Sequence, residues 1–213
     1  MLNEQVAGCA SAHQRLLGSL VGITDAECRA PSLLPGWSRG HLLTHLARNA
    51  DSHTHLLEAA SRGEIAEQYP GGVQARTQAI EEGSGRSAAE LVKDVRASIY
   101  SLEAQWASAT PTTWAGEGRN ARGSVLAMSD LVFLRWREVE VHHVDLDREF
   151  TWQQWSELYV RLELDWQMMT WRSRKPMGLT ELPPAAMRLT TRHRLAWLLG
   201  RVEVEGLAKP DPI

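Results

Sequence analysis

The sequence predicts a mainly α protein: a four-helix bundle followed by a small C-terminal α/β appendage. Three observations carry this: apolar residues recur every three or four positions over long stretches, serines stand where helices should start, and the pattern changes after Asp147. From Asn3 to about Val21, the residues Val6, Ala10, His13, Leu16, Leu17 and Leu20 share one helical face. Pro31, Pro35 and Gly36 then break the chain. Ser38 can cap a second helix from Arg39 towards Ala60, because its hydroxyl accepts an orphan backbone N–H. Ser61 to Gly85 contains a Tyr-Pro-Gly-Gly turn and a short helix over Val73 to Glu82. Ser87, with Glu90 three residues on, forms a capping box for a third helix that ends near Ala109. Thr110 to Gly123 is expected to be loop. A fourth helix is expected from near Ser124, burying Leu126, Leu131, Leu134 and Val141. Residues 1–150 thus form the bundle and 151–213 a second unit: a helix over Trp152 to Met169, a strand at MRLTT, a helix at HRLAWLLG and a strand at RVEVEGL.

Composition narrows the function. With 213 residues and 43% apolar content the chain can build a core without staples. Cys9 and Cys28 suit small core positions, not a disulfide framework, which points to a reducing cytoplasm. No apolar run approaches the ~20 residues of a membrane span, and the N-terminus has neither the basic start nor the long apolar run of a signal peptide. A net charge of -3 offers no general field for nucleic acid. Nine tryptophans against two phenylalanines supply packing bulk; Trp166 and Trp171 fit either a dimer surface or a small core, so the chain is expected to be a monomer or homodimer.

The chemistry is expected from histidines and one glutamate. Glu138 and His142 lie four apart in the fourth helix, which puts both side chains on one face, about 6 Å apart at Cβ. His41, His45, Asn49 and His53 follow one another at four-residue steps along the second helix. Polar stripes are costly to bury unless something between the helices satisfies them, and a divalent cation does so. Two imidazoles and a carboxylate form a catalytic zinc set with a position left open, although nickel, iron or manganese accept the same donors. Spacing alone does not choose among His41, His45 and His53. His143 points about 100° away from His142, and His13 and His193 show no partner in sequence. A small thiol reaching the open position would lose its proton to the cation, so the nucleophile would come from a cofactor.

The segments PGWSRGHLLTHLARNAD (Pro35 to Asp51) and RWREVEVHHVDL (Arg135 to Leu146) resemble the mycothiol-dependent maleylpyruvate isomerase family, within the wider DinB-like group of metal-binding four-helix bundles. The similarity spans most of Leu2 to Asp147. It implies that His45, Glu138 and His142 are the metal ligands. It also implies that Arg76, in QARTQAIEEG, binds carboxylates of a dicarboxylate substrate or of the thiol, and that Arg201, after LAWLLG, is a second carboxylate-binding residue. The implied activity is thiol-dependent conversion of maleylpyruvate to fumarylpyruvate in gentisate breakdown, with Zn2+ and mycothiol or another low-molecular-weight thiol as cofactors. Asp145 or Asn49 would orient a ligand imidazole. The alternatives are a zinc-dependent thiol S-transferase and a non-catalytic DinB-like binding protein. The C-terminal unit departs from the family pattern by its apparent shortness, which bears on the substrate more than on the metal.

Overall fold

The computed structural model describes residues 1–174 and 180–210; residues 175–179 and 211–213 lie outside the described residues. The chain divides into two compact units, Met1–Asp147 and Arg148–Ile213.

The first unit contains α1 (Leu2–Ser19), α2 (Asp25–Arg29), α3 (Arg39–Ser61), α4 (Gly72–Ser84), α5 (Ala88–Ser108), α6 (Pro111–Trp114), the strands β1 (Glu117–Arg119) and β2 (Val125–Ala127), and α7 (Leu131–Asp145). The long helices α1, α3, α5 and α7 pack into the bundle, α3 against α5 and α7, and α1 against the same two. Their facing sides bury Leu16, Leu42, Leu46, Leu57, Leu91, Ile99, Leu102, Leu131 and Val139. Gly8 permits the close approach of α1 to α7, since a Cβ there would run into the Trp136 ring. Cys9 and Cys28 are buried, and Cys9 Sγ lies 3.9 Å from His13 Nε2.

The caps follow the sequence. Ser87 Oγ accepts from Glu90 N while Glu90 reaches back to Ser87 N. Ser38 opens α3 in the same way, with His41 as the reciprocal partner. The start of the fourth helix differs. Val125–Ala127 pairs antiparallel with β1 and Met128–Asp130 forms a 3-10 turn, so α7 begins only at Leu131. Ser124 lies instead in the hairpin turn, where its N–H donates to Asn120 Oδ1. Leu131 and Val141 are buried as expected, but Leu126 and Leu134 are half-buried, and the face of α7 turned inward carries Arg135, Glu140 and His143 as well.

The second unit holds a 3-10 turn at Trp152–Gln154, then α8 (Glu157–Arg172), α9 (Pro184–Met187) and α10 (Thr191–Leu198). Trp155, Tyr159, Leu195 and Trp197 are buried. The expected strands do not form among the described residues. At MRLTT, Pro184 presets a helical turn that ends at Met187, and Thr190 Oγ1 caps α10. At RVEVEGL, alternation alone has no neighbouring strand to pair with, and the segment runs as loop. Gly200, at φ 69°, closes α10 by a Schellman arrangement: its N–H bonds Trp197 O, and Arg201 N bonds Ala196 O. No helix among the described residues is long and apolar enough to cross a membrane.

Candidate metal centre

The stripe on α3 separates into different roles. His41 Nδ1 accepts from Ser38 N at 3.2 Å, and its Nε2 lies 3.3 Å from Glu81 Oε2, so its ring is committed to the helix cap and to α4. One turn on, His45 is 4% exposed and faces α7. Asn49 Oδ1 accepts from Arg135 Nη1 at 2.8 Å and does not orient a ligand imidazole. His53 is buried a turn deeper.

From α7, Glu138 and His142 meet His45. Glu138 Oε2 stands 2.9 Å from His45 Nε2 and 3.4 Å from His142 Nε2, and the two rings lie 4.9 Å apart at 83°. One donor atom from each residue lies within 4.8 Å of the others, the single such group of three found among the described residues. The donor set fits a divalent cation: nitrogen and oxygen ligands about 2.0–2.1 Å from zinc at tetrahedral angles stand about 3.3 Å apart.

The electrostatics match a site built around positive charge. Partial burial raises the Glu138 carboxyl, but hydrogen bonds from His142 and His45 outweigh it and hold the group well below the usual range. Burial lowers His45. His142 is pushed the other way, to about 9: burial would lower it, yet Asp145 and Glu138 together favour the imidazolium. Asp145 Oδ2 is 2.9 Å from His142 Nδ1, the orienting contact expected from sequence.

Arg76 comes from α4. A Cβ on Gly40 would collide with the backbone carbonyl of Ser84, so the close seating of α4 on the start of α3 depends on that glycine. Arg76 Nη2 lies 3.1 Å from His45 Nδ1 and its guanidinium stacks over Tyr69 at 5.7 Å. The edge of Trp37 packs on His45 with ring centres 5.6 Å apart. Helix periodicity points to neither aromatic; Trp37 stands just before the Ser38 cap and Tyr69 in the Tyr-Pro-Gly-Gly turn. Arg201 lies in the second unit, with Nη1 donating to Leu199 O at 2.5 Å.

The family model of the mycothiol maleylpyruvate isomerase N-terminal domain matches residues 9–147. The chain belongs to this family. Two crystal structures resemble this member of the mycothiol maleylpyruvate isomerase family: that of a mycothiol-dependent maleylpyruvate isomerase, and that of a histidine-to-alanine mutant. The mutant matches with TM-score 0.88 and the other with 0.86; each is 23% identical, and each match covers 100% of this chain and 97% of the other. The second unit is therefore not shortened relative to those isomerases, contrary to the expectation from sequence. Comparison with curated proteins found no match.

Proposed function

We propose that this chain is a thiol-dependent cis–trans isomerase that converts maleylpyruvate to fumarylpyruvate, with zinc or another divalent cation on His45, Glu138 and His142 and mycothiol or another small thiol as cofactor. One observation carries the proposal: in a chain of this family, two helices bring two imidazoles and one carboxylate to a common point. A cation held there, with a thiol beside it, supplies a thiolate at neutral pH, and its reversible addition to the cis double bond is what permits rotation to trans.

The residues divide the remaining work. Glu138 contributes the negative charge. Asp145 accepts a hydrogen bond from His142 Nδ1 and so turns Nε2 towards Glu138. At His45 the proton must move. Arg76 is always a donor, so its contact makes Nδ1 the acceptor and places the proton on Nε2, facing Glu138. Presenting Nε2 as a ligand shifts that proton to Nδ1, which then repels the Arg76 guanidinium. Released from His45, Arg76 can take a carboxylate of the dianionic substrate and stabilise the negative charge that develops on its carbonyl oxygen. Arg201 is proposed as a second carboxylate partner on the strength of the family resemblance alone.

The test is direct. Purified protein given maleylpyruvate, with and without mycothiol and with and without a chelator, is assayed for fumarylpyruvate. Trans product that needs both thiol and cation supports the proposal. Absence of product under every condition, with conjugates forming from an added electrophile, would instead establish the S-transferase.

A further inference from the structure

Beneath the candidate ligands, one line of hydrogen bonds joins all four long helices. Glu103 on α5 accepts from His13 on α1, Oε1 to Nδ1 at 2.8 Å. His13 Nε2 accepts from Arg135 Nε on α7 at 3.1 Å. Arg135 Nη1 then donates to two acceptors on α3, Leu46 O and Asn49 Oδ1, both at 2.8 Å. The proton positions follow without choice: Arg135 can only donate, so His13 Nε2 accepts and Nδ1 carries the proton given to Glu103. Arg135 and His13 are fully buried, and Trp106 stacks on the His13 ring at 5.9 Å.

The line ends where the site begins. Leu46 follows His45, Asn49 lies one turn beyond it, and Arg135 lies three residues before Glu138. The guanidinium thus ties the turn of α3 that carries one ligand to the turn of α7 that carries the others. This tie matters because α3 shares a far more extensive contact with α5 than with α7. Among the described residues no carboxylate hydrogen-bonds to Arg135, and the charges of Glu138 and Asp51 act on it only through space, against the cost of its burial. A buried cation of this kind is costly, and an apolar side chain of similar volume would pack at less expense.

We propose that Arg135 is a positioning residue for the cation site, setting the spacing of α3 against α7 so that His45 meets Glu138 and His142. The inference rests on the metal-site reading above. Its test is cation affinity, measured on the full chain by competition between Zn2+ and a chelator, with the visible spectrum of the Co2+ form as a report of ligand geometry. Arg135→Lys keeps the charge and loses the fork; Arg135→Met removes the charge. Charge alone predicts unchanged affinity for the first and tighter binding for the second. Positioning predicts that both weaken, by about tenfold or more, with an altered Co2+ spectrum. Lys binding as tightly as the parent, or Met binding more tightly, would overturn the inference. Should Arg135→Met fail to fold, Asn49→Ala removes one acceptor while Leu46 O remains; it should lose affinity several-fold and shift the spectrum, and an unchanged result also overturns the inference. A parent chain that takes up no cation defeats the metal-site reading itself, whereas a parent that binds and an Arg135→Lys variant that binds equally defeat only the role of Arg135.

Discussion

His142 Nδ1 stands 2.9 Å from Asp145 Oδ2, and this contact decides which nitrogen of the ring faces Glu138 and His45. The carboxylate is itself fixed: Asp145 is 1% exposed, its backbone carbonyl accepts from Leu33 N at 2.9 Å, and Arg39 Nε holds the next carbonyl, Leu146 O, at 2.5 Å. The segment leading into α3 therefore clasps the end of α7. Asp145→Asn keeps the shape and gives up the charge. It is expected to lower cation affinity about 10–100-fold, read by chelator competition, and to lower the thermal stability of the metal-free chain at pH 7, where charged His142 loses its main partner. Parent-like affinity would mean that the ring is oriented by packing alone.

Cation binding at His142 must displace a proton. Before a cation binds, Asp145 and Glu138 hold the imidazolium with a pKa of about 9, although burial works against them. A ligand nitrogen has to be bare, so apparent affinity should rise by about tenfold per pH unit below that value and level off above it. His45, lowered by burial, adds no proton near neutrality. Calorimetry at pH 7 in buffers of different ionisation enthalpy should show about one proton released per cation. The same shift acts on the metal-free fold with a definite sign: stabilisation by charged His142 is complete below the unfolded value of 6.5 and is lost as pH rises through about 9.

Arg76 should show opposite effects on two ligands. It competes with the metal-ready form of His45, through the 3.1 Å contact at Nδ1, and is then free to bind an anion. Arg76→Met is expected to tighten cation binding several-fold. The same change should raise KM for maleylpyruvate about tenfold to a hundredfold, the worth of a lost charge-assisted hydrogen bond. Chelator competition and steady-state kinetics on one preparation check both. A parallel loss of cation and substrate affinity would show that Arg76 supports His45 and does not compete with it.

What could be read in the sequence was what depends on neighbours along one helix. Ser87 and Glu90 cap α5 because their reciprocal bonds span three residues. Glu138 and His142 share a face by helical repeat, whatever the rest of the chain does. His45 could be preferred over His41 and His53 only through family resemblance, since which histidine meets α7 depends on how two helices are rotated against each other. The cap role of His41 was hidden because glutamate or glutamine usually fills that place. The line from Glu103 to Asn49 draws on four helices and leaves no periodic trace. The strands expected in the second unit failed for a related reason: alternation describes one strand, while a sheet needs a partner.

Three buried histidines outside the candidate ligand set are expected to set the acid limit of the fold. Burial, the first cause in each case, lowers His13 to about 4 and both His53 and His143 to about 3, against an unfolded value of 6.5. Between about 4 and 6.5 the unfolded chain binds these protons and the folded chain does not, so stability rises with pH across that window and falls as pH drops. Three such groups give a slope of about 4 kcal/mol per pH unit near pH 5. His53→Leu removes one of them and should lower the slope by about 1.4 kcal/mol per pH unit. Urea unfolding from pH 7 to 5, at fixed chelator to exclude cation effects, measures it. Stability that stays level over this range would show that the folded chain takes up these protons as readily as the unfolded one, and would overturn the prediction.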